Sequence, residues 1–136
     1  MESRSDLARR LRDHGLRVTL PRLAVLEYLA ASTSHPTADE VGSAVNRLVP
    51  TASRASVYNV LHSLSQAGLV EELVLDDAVA RYDANLAPHH HFVCTRCRAV
   101  EDIAWDAATP VGRMPEGHVV EEVAVTFRGI CPRCAF

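Results

Sequence analysis

The stretch SRASVYNVLHSLSQAG, residues 53–68, decides the fold. Val57, Val60, Leu61 and Leu64 recur at helical spacing, and Ser53 ahead of them can cap the first turn. Gly68 follows as a stop, because glycine enters the left-handed region without a steric cost. A helix over 54–67 is expected. Its apolar stripe leaves Arg54, Ser56, Tyr58 and Asn59 on the other side, close to the N-terminus. Such donors and a ring can read base edges when the second helix of a helix-turn-helix enters a major groove. A plain solvated helix face has the same composition, and the stretch alone leaves both readings open.

Working outward towards the N-terminus, Thr37-Ala38-Asp39-Glu40 reads as a capping box. The helix it opens turns Val41, Ala44, Val45 and Leu48 inward and closes at Pro50, while His35-Pro36 breaks the chain before it. Thr19 can cap an earlier helix with Pro21 in its first turn; Leu23, Val25, Leu26, Leu29 and Ala30 give it helical spacing, and it ends near Ser32. Leu7 and Leu11 mark a short first helix over 5–14, stopped at Gly15. On the other side of the opening stretch, 69–75 and 78–83 read as strands joined by a turn at Asp76-Asp77. Helices followed directly by a hairpin is the order of a winged helix, although a generic small α+β domain shares it.

From Asn85 to Pro88 the composition turns to loop, which divides the chain into expected domains 1–84 and 85–136. The second half is β-like, with strands expected over 91–94, 99–103 and 119–127. Pro110, Gly112, Pro115 and Gly117 leave room for little more than one helical turn between them. Cys94, Cys97, Cys131 and Cys134 form two C-x-x-C pairs. Paired knuckles in a reduced compartment suit tetrahedral zinc, with disulfides or a redox pair as the alternatives; no βαβ pattern of the thioredoxin type surrounds either pair.

Three of the seven histidines, His89, His90 and His91, stand just before Cys94. On an extended strand His89 and His91 share a face and could chelate one ion. Asp102 lies on the next expected strand, Asp83 ends the hairpin, and His35 precedes the capping box. Imidazoles with carboxylates suit iron, manganese or zinc; a histidine run is also a common surface feature.

The net charge of −3 hides an asymmetry. Residues 1–70 carry 8 Arg against 6 acids, whereas residues 71–136 carry 6 Arg against 11 acids. No apolar run approaches the length of a membrane span, and the opening MESRSDLARR is too charged for a signal-peptide core, so a cytoplasmic protein without membrane partners is expected. A metal-dependent hydrolase is disfavoured, because no general base stands out beside the His/Asp group; no enzyme is expected. A bare zinc-ribbon interaction module leaves the four helices without a purpose.

Taken in order, LRVTLPRLAVLEYL, HPTADE, SVYNVLHSLSQAGLV, RYDANLAPHHHFVCTRC and GICPRC resemble the ferric uptake regulator family over nearly the whole chain. The resemblance implies an α+β protein: an N-terminal winged helix-turn-helix that binds DNA, and a small C-terminal α/β dimerisation domain with a four-cysteine zinc site. It implies a homodimer that represses from a palindromic double-stranded operator, with Arg17 reaching the minor groove or phosphates. It also implies a regulatory Fe²⁺ or Mn²⁺ held by His35, Asp83, His89, His91 and Asp102. Asp102 resembles the peroxide-sensing branch, where iron-sensing members often have Glu, so peroxide would oxidise His35 or His89 and release DNA. An iron- or zinc-uptake regulator is the alternative within the family. The segment from Trp105 to Glu116 is shorter than in relatives, and acids stand at Glu121-Glu122 where some relatives place a further ligand; His118 is the nearest imidazole.

Overall fold

The computed structural model describes residues 2–75, 78–108 and 113–135. It divides into two compact units, Met1–Leu86 and Ala87–Phe136.

The first unit opens with four helices: α1 (Arg4–Asp13), α2 (Leu20–Ala31), α3 (Ala38–Leu48) and α4 (Arg54–Gln66). Each begins on a hydroxyl that accepts a backbone N–H: Ser3 from Asp6, Thr19 from Arg22, Thr37 from Glu40 and Ser53 from Ser56. The reciprocal capping box forms at Ser3 and Asp6, so the first helix starts at Arg4, one residue ahead of the expected 5–14. At Thr37 only the forward bond to the Glu40 N–H is made, and the Glu40 carboxylate instead accepts from the Thr37 hydroxyl. Gly15 and Gly68 take φ of 76° and 78°. There the N–H groups of Leu16 and Leu69 reach back to the carbonyls of Leu11 and Leu64, each at 2.9 Å, which ends α1 and α4.

The helices bury one apolar cluster that includes Leu7, Leu11, Leu26, Leu29, Val41, Val45, Leu61 and Leu64. Asn46 fixes the turn between α3 and α4 by donating to the carbonyls of Pro50 and Ala52. The hairpin is β1 (Glu71–Val74) against β2 (Ala80–Asp83), antiparallel with Glu71 opposite Asp83. β1 is shorter than the expected 69–75, because Leu69 and Val70 are drawn into the helical core. The expected turn at Asp76-Asp77 lies outside the described residues. A bridge from Thr37 to Arg81, with the Tyr82 N–H on the Pro36 carbonyl, adds a third line of backbone along β2. This is the winged helix-turn-helix.

The second unit is a three-stranded sheet in the order β4-β3-β5. β3 (His89–Cys94) pairs antiparallel with β4 (Val100–Ala104) and parallel with β5 (Thr126–Gly129). One 3₁₀ turn, Trp105–Ala107, leaves β4, and a short α5 (Pro132–Ala135) ends the chain; Pro110 and Gly112 lie outside the described residues. The expected strand over 119–127 is corrected, since pairing begins only at Thr126. His91 stands opposite Thr126 in a parallel register, and β3 itself begins at His89. Residues before 124 therefore have no β3 backbone left to pair with. Among the described residues no helix is long and apolar enough to cross a membrane.

Candidate metal sites and nucleic-acid interface

Parallel pairing of β3 with β5 places the two C-x-x-C knuckles side by side. The four sulfurs of Cys94, Cys97, Cys131 and Cys134 lie within 4.8 Å of one another, and none is in a disulfide. Cys97 and Cys131 are 3.7 Å apart at Sγ, against about 3.8 Å for the edge of a tetrahedron with metal–sulfur bonds near 2.3 Å. The N–H groups of Cys131 and Cys97 point at Cys94 Sγ at 3.4 and 3.5 Å. Those bonds, Cys131 first, pull the Cys94 thiol down to about 6, while the Cys131 sulfur pushes the Cys134 thiol up to about 12. Four crowded thiols cannot all ionise without a cation between them. Soft donors at tetrahedral spacing suit zinc, and the cluster fits it.

The first unit brings His35 and Asp83 together. His35 has φ of 53°, a conformation a non-glycine residue rarely holds, and β2 grips the two carbonyls that follow from it. Arg81 Nη1 donates to the His35 carbonyl, and Tyr82 N–H holds Pro36. His35 Nε2 consequently lies 3.1 Å from Asp83 Oδ2. The Asn85 N–H occupies the other carboxylate oxygen, Asp83 Oδ1, at 2.8 Å.

The second unit brings His89, His91 and Asp102 together. Strand alternation turns His89 and His91 to one face, with Nε2 atoms 3.1 Å apart, and His91 stands opposite Asp102 on β4. Asp102 Oδ1 lies 3.3 Å from His89 Nε2 and 3.8 Å from His91 Nε2. His89 Nδ1 meets the Ala87 carbonyl at 2.6 Å. A carbonyl can only accept, so Nδ1 carries the proton and Nε2 keeps a lone pair for a metal. The 3.1 Å between the two imidazole nitrogens and the 3.3 Å from His89 to Asp102 match the roughly 3 to 3.4 Å between ligand atoms around an ion bonded at about 2.0–2.1 Å to imidazole, and the 3.8 Å from His91 to Asp102 is wider.

On α4, Arg54, Tyr58 and Asn59 are exposed, as is Arg17 before α2. Arg54 pairs with Asp39 at the start of α3. Tyr58 first and Asp39 second hold its guanidinium in the charged form. Ser56 is half-buried, its hydroxyl donating to the Ser53 carbonyl at 2.8 Å. An open groove of about 590 Å³ runs between the start of α2 and α4, lined by Arg17, Thr19, Arg22, Ser56 and Asn59 among others. Two residues on this face escaped the sequence reading. Arg22 donates to the Arg17 carbonyl at 2.8 Å and so shapes the groove; its position in the first turn after Thr19 was the available signal. His62 is exposed one turn beyond Tyr58, at the i+4 spacing that puts both on one face.

The Ferric uptake regulator family model matches residues 13–116. The chain belongs to the ferric uptake regulator family. The transcriptional regulator FurA of Mycobacterium tuberculosis is 41% identical over 145 residues, spanning 99% of this chain and 94% of FurA. The peroxide operon regulator of Bacillus subtilis is 34% identical over 128 residues, spanning 92% and 88%. The solved structure of the Helicobacter pylori ferric uptake regulator Fur shares the fold, with a TM-score of 0.77 at 19% identity over 99% of this chain and 95% of that one. Members of the ferric uptake regulator family are metal-responsive transcriptional regulators, and this chain is one of them.

Proposed function

We propose that this chain is a cytoplasmic, homodimeric repressor that grips a near-palindromic operator through α4 and releases it on exposure to peroxide. Arg54, Tyr58 and Asn59 read base edges, Ser56 lines the same groove, and Arg17 reaches the backbone or the minor groove. Zinc on Cys94, Cys97, Cys131 and Cys134 stabilises the second unit, which serves as the dimerisation domain.

The observation that carries the reading is the pair of metal-ready sets, His35 with Asp83 in residues 1–86 and His89 and His91 with Asp102 in residues 87–136. A single Fe²⁺ or Mn²⁺ taken by both sets would fix the angle between the units. It favours the DNA-competent arrangement only by its differential affinity for that arrangement. The His89 Nδ1–H on Ala87 and the Asn85 N–H on Asp83 hold the donors ready in advance. The chemistry that bound Fe²⁺ supplies is the activation of hydrogen peroxide, which places one oxygen atom on a ligand imidazole, His35 or His89, and departs as water. The short carboxylate Asp102 favours this reading over a second one, an iron- or zinc-uptake regulator without peroxide sensing. That second reading uses the same donors, and the description of the matching family model supports it.

The test is operator binding with Fe²⁺ or Mn²⁺, each with and without brief peroxide, on a site recovered by selection from random duplexes. The Fe²⁺ form should lose DNA and gain one oxygen on the peptide holding His35 or His89, and the Mn²⁺ form should keep both unchanged. His35→Ala should remain a zinc-loaded dimer yet lose metal-stimulated binding. Iron-loaded protein that keeps its DNA affinity and unmodified histidines hands the function to the uptake reading.

A further inference from the structure

The histidine run supplies three imidazoles, and the proposed regulatory site uses two. His90 points to the opposite face of β3 from its neighbours and is fully buried. Both of its ring nitrogens are engaged. The Val125 N–H donates to Nδ1 at 3.1 Å, so Nδ1 is an acceptor and the proton sits on Nε2. Nε2–H in turn faces two carbonyls, Trp105 at 3.0 Å and Ala108 at 3.1 Å. The ring also stacks on Trp105, with centroids 4.7 Å apart and planes 17° from parallel.

These contacts join three segments where the sheet's own pairing runs out. The β3–β4 ladder ends at His89 opposite Ala104, and the β3–β5 ladder begins at His91 opposite Thr126. His90 ties the turn leaving β4 and the approach to β5 to that same end of β3. His89, His91 and Asp102 project from this end on the other face. We infer that His90 is a positioning residue: its ring clamps the ends of both ladders and holds those three donors at metal spacing while offering no ligand atom itself. Metal shells tolerate only a few tenths of an ångström in ligand position. The ends of ladders are where backbone moves most easily, so a clamp there bears directly on affinity.

This inference rests on the regulatory-site reading, and its test separates the two. Three variants of the full zinc-loaded chain are compared by Mn²⁺ affinity, amide exchange at Val125 and emission of Trp105, the sole tryptophan. His90→Phe keeps the ring and the stack but no hydrogen bond, His90→Ala keeps neither, and His90→Gln keeps one donor and one acceptor. His90→Phe and His90→Ala should bind Mn²⁺ about 10- to 100-fold more weakly, the range seen when groups supporting metal ligands are lost. Val125 should exchange faster in both, zinc should stay at one per chain, and Trp105 emission should move in His90→Ala more than in His90→Phe. His90→Gln should recover part of the affinity and part of the protection. Unchanged Mn²⁺ affinity in His90→Phe overturns the inference, and so does loss of zinc in that variant, which would make His90 a residue of the fold alone. If the unmodified chain binds no Mn²⁺ beside its zinc, the regulatory reading falls. The clamp is then judged on Val125 exchange, where equal rates in all variants overturn it.

Discussion

The two units reach stability by different routes. In residues 1–86 four helices and a hairpin bury a continuous apolar cluster running from Leu7 to Tyr82. In residues 87–136 the buried apolar side chains, among the described residues, are Val93 and Val100 beside the sulfurs of Cys94 and Cys131. A domain of about 50 residues rarely stabilises itself on so small a core and calls for a metal or a partner instead. The comparison sets a half whose core is hydrocarbon against one whose buried side chains are mostly groups able to bind a metal.

The hardest way to break that comparison is to remove a ligand. Cys94→Ser should cost the second unit its zinc and its sheet together, since apparent zinc binding energies of roughly 10–16 kcal/mol are folding energy in such sites. The four helices should survive. Metal content and far-ultraviolet circular dichroism measure both, and a zinc-loaded, sheet-containing mutant would refute the metal's structural role. The converse change is Leu61→Ala in the fully buried core of the first unit. It should cost about 2–5 kcal/mol, read by denaturant titration of helicity, while zinc stays at one per chain. Zinc released in step with helix melting would show one cooperative block in place of two.

The smallest effect sharpens the first unit alone. The Ser3 N–H and hydroxyl hold the Asp6 carboxyl below its ordinary 3.8. A depressed carboxyl adds stability that is present above the unfolded value and is lost as pH falls through the folded one. Asp6→Asn should therefore fray α1 slightly at neutral pH and match the unmodified chain well below pH 3.8. Amide exchange in α1 at the two pH values checks it, and a difference that persists in acid would rule out the cap as its cause.

What was legible in the sequence was what local chemistry fixes. Thr19, Thr37 and Ser53 cap their helices, and Gly15 and Gly68 stop theirs, because each acts within one turn. The spacing of His89 and His91 likewise placed two side chains on a shared face through period-two alternation. What was hidden depends on neighbours distant in sequence. The alternation over 119–127 looked like a strand, yet parallel register against β3 admits pairing only from Thr126. The backbone line at Thr37 beside β2 is a single bridge and has no period to read. Alternation turned His90 away from His89 and His91, yet only the fold reveals that Val125 and Trp105 take its two nitrogens.

The Arg54–Asp39 pair has a consequence for how tightly this regulator follows ionic strength. Phosphate contacts gain much of their free energy by releasing condensed counterions, and each contributes close to one unit to the logarithmic salt slope. Arg54 already carries an anion of its own chain, so on reaching a base edge in the proposed complex it would exchange Asp39 for the negative field of the DNA. The freed carboxylate would then stand beside a polyanion and gather a cation from solution. The slope for operator binding should accordingly fall about one unit short of the number of arginines at the interface, and Asp39→Asn should restore that missing unit.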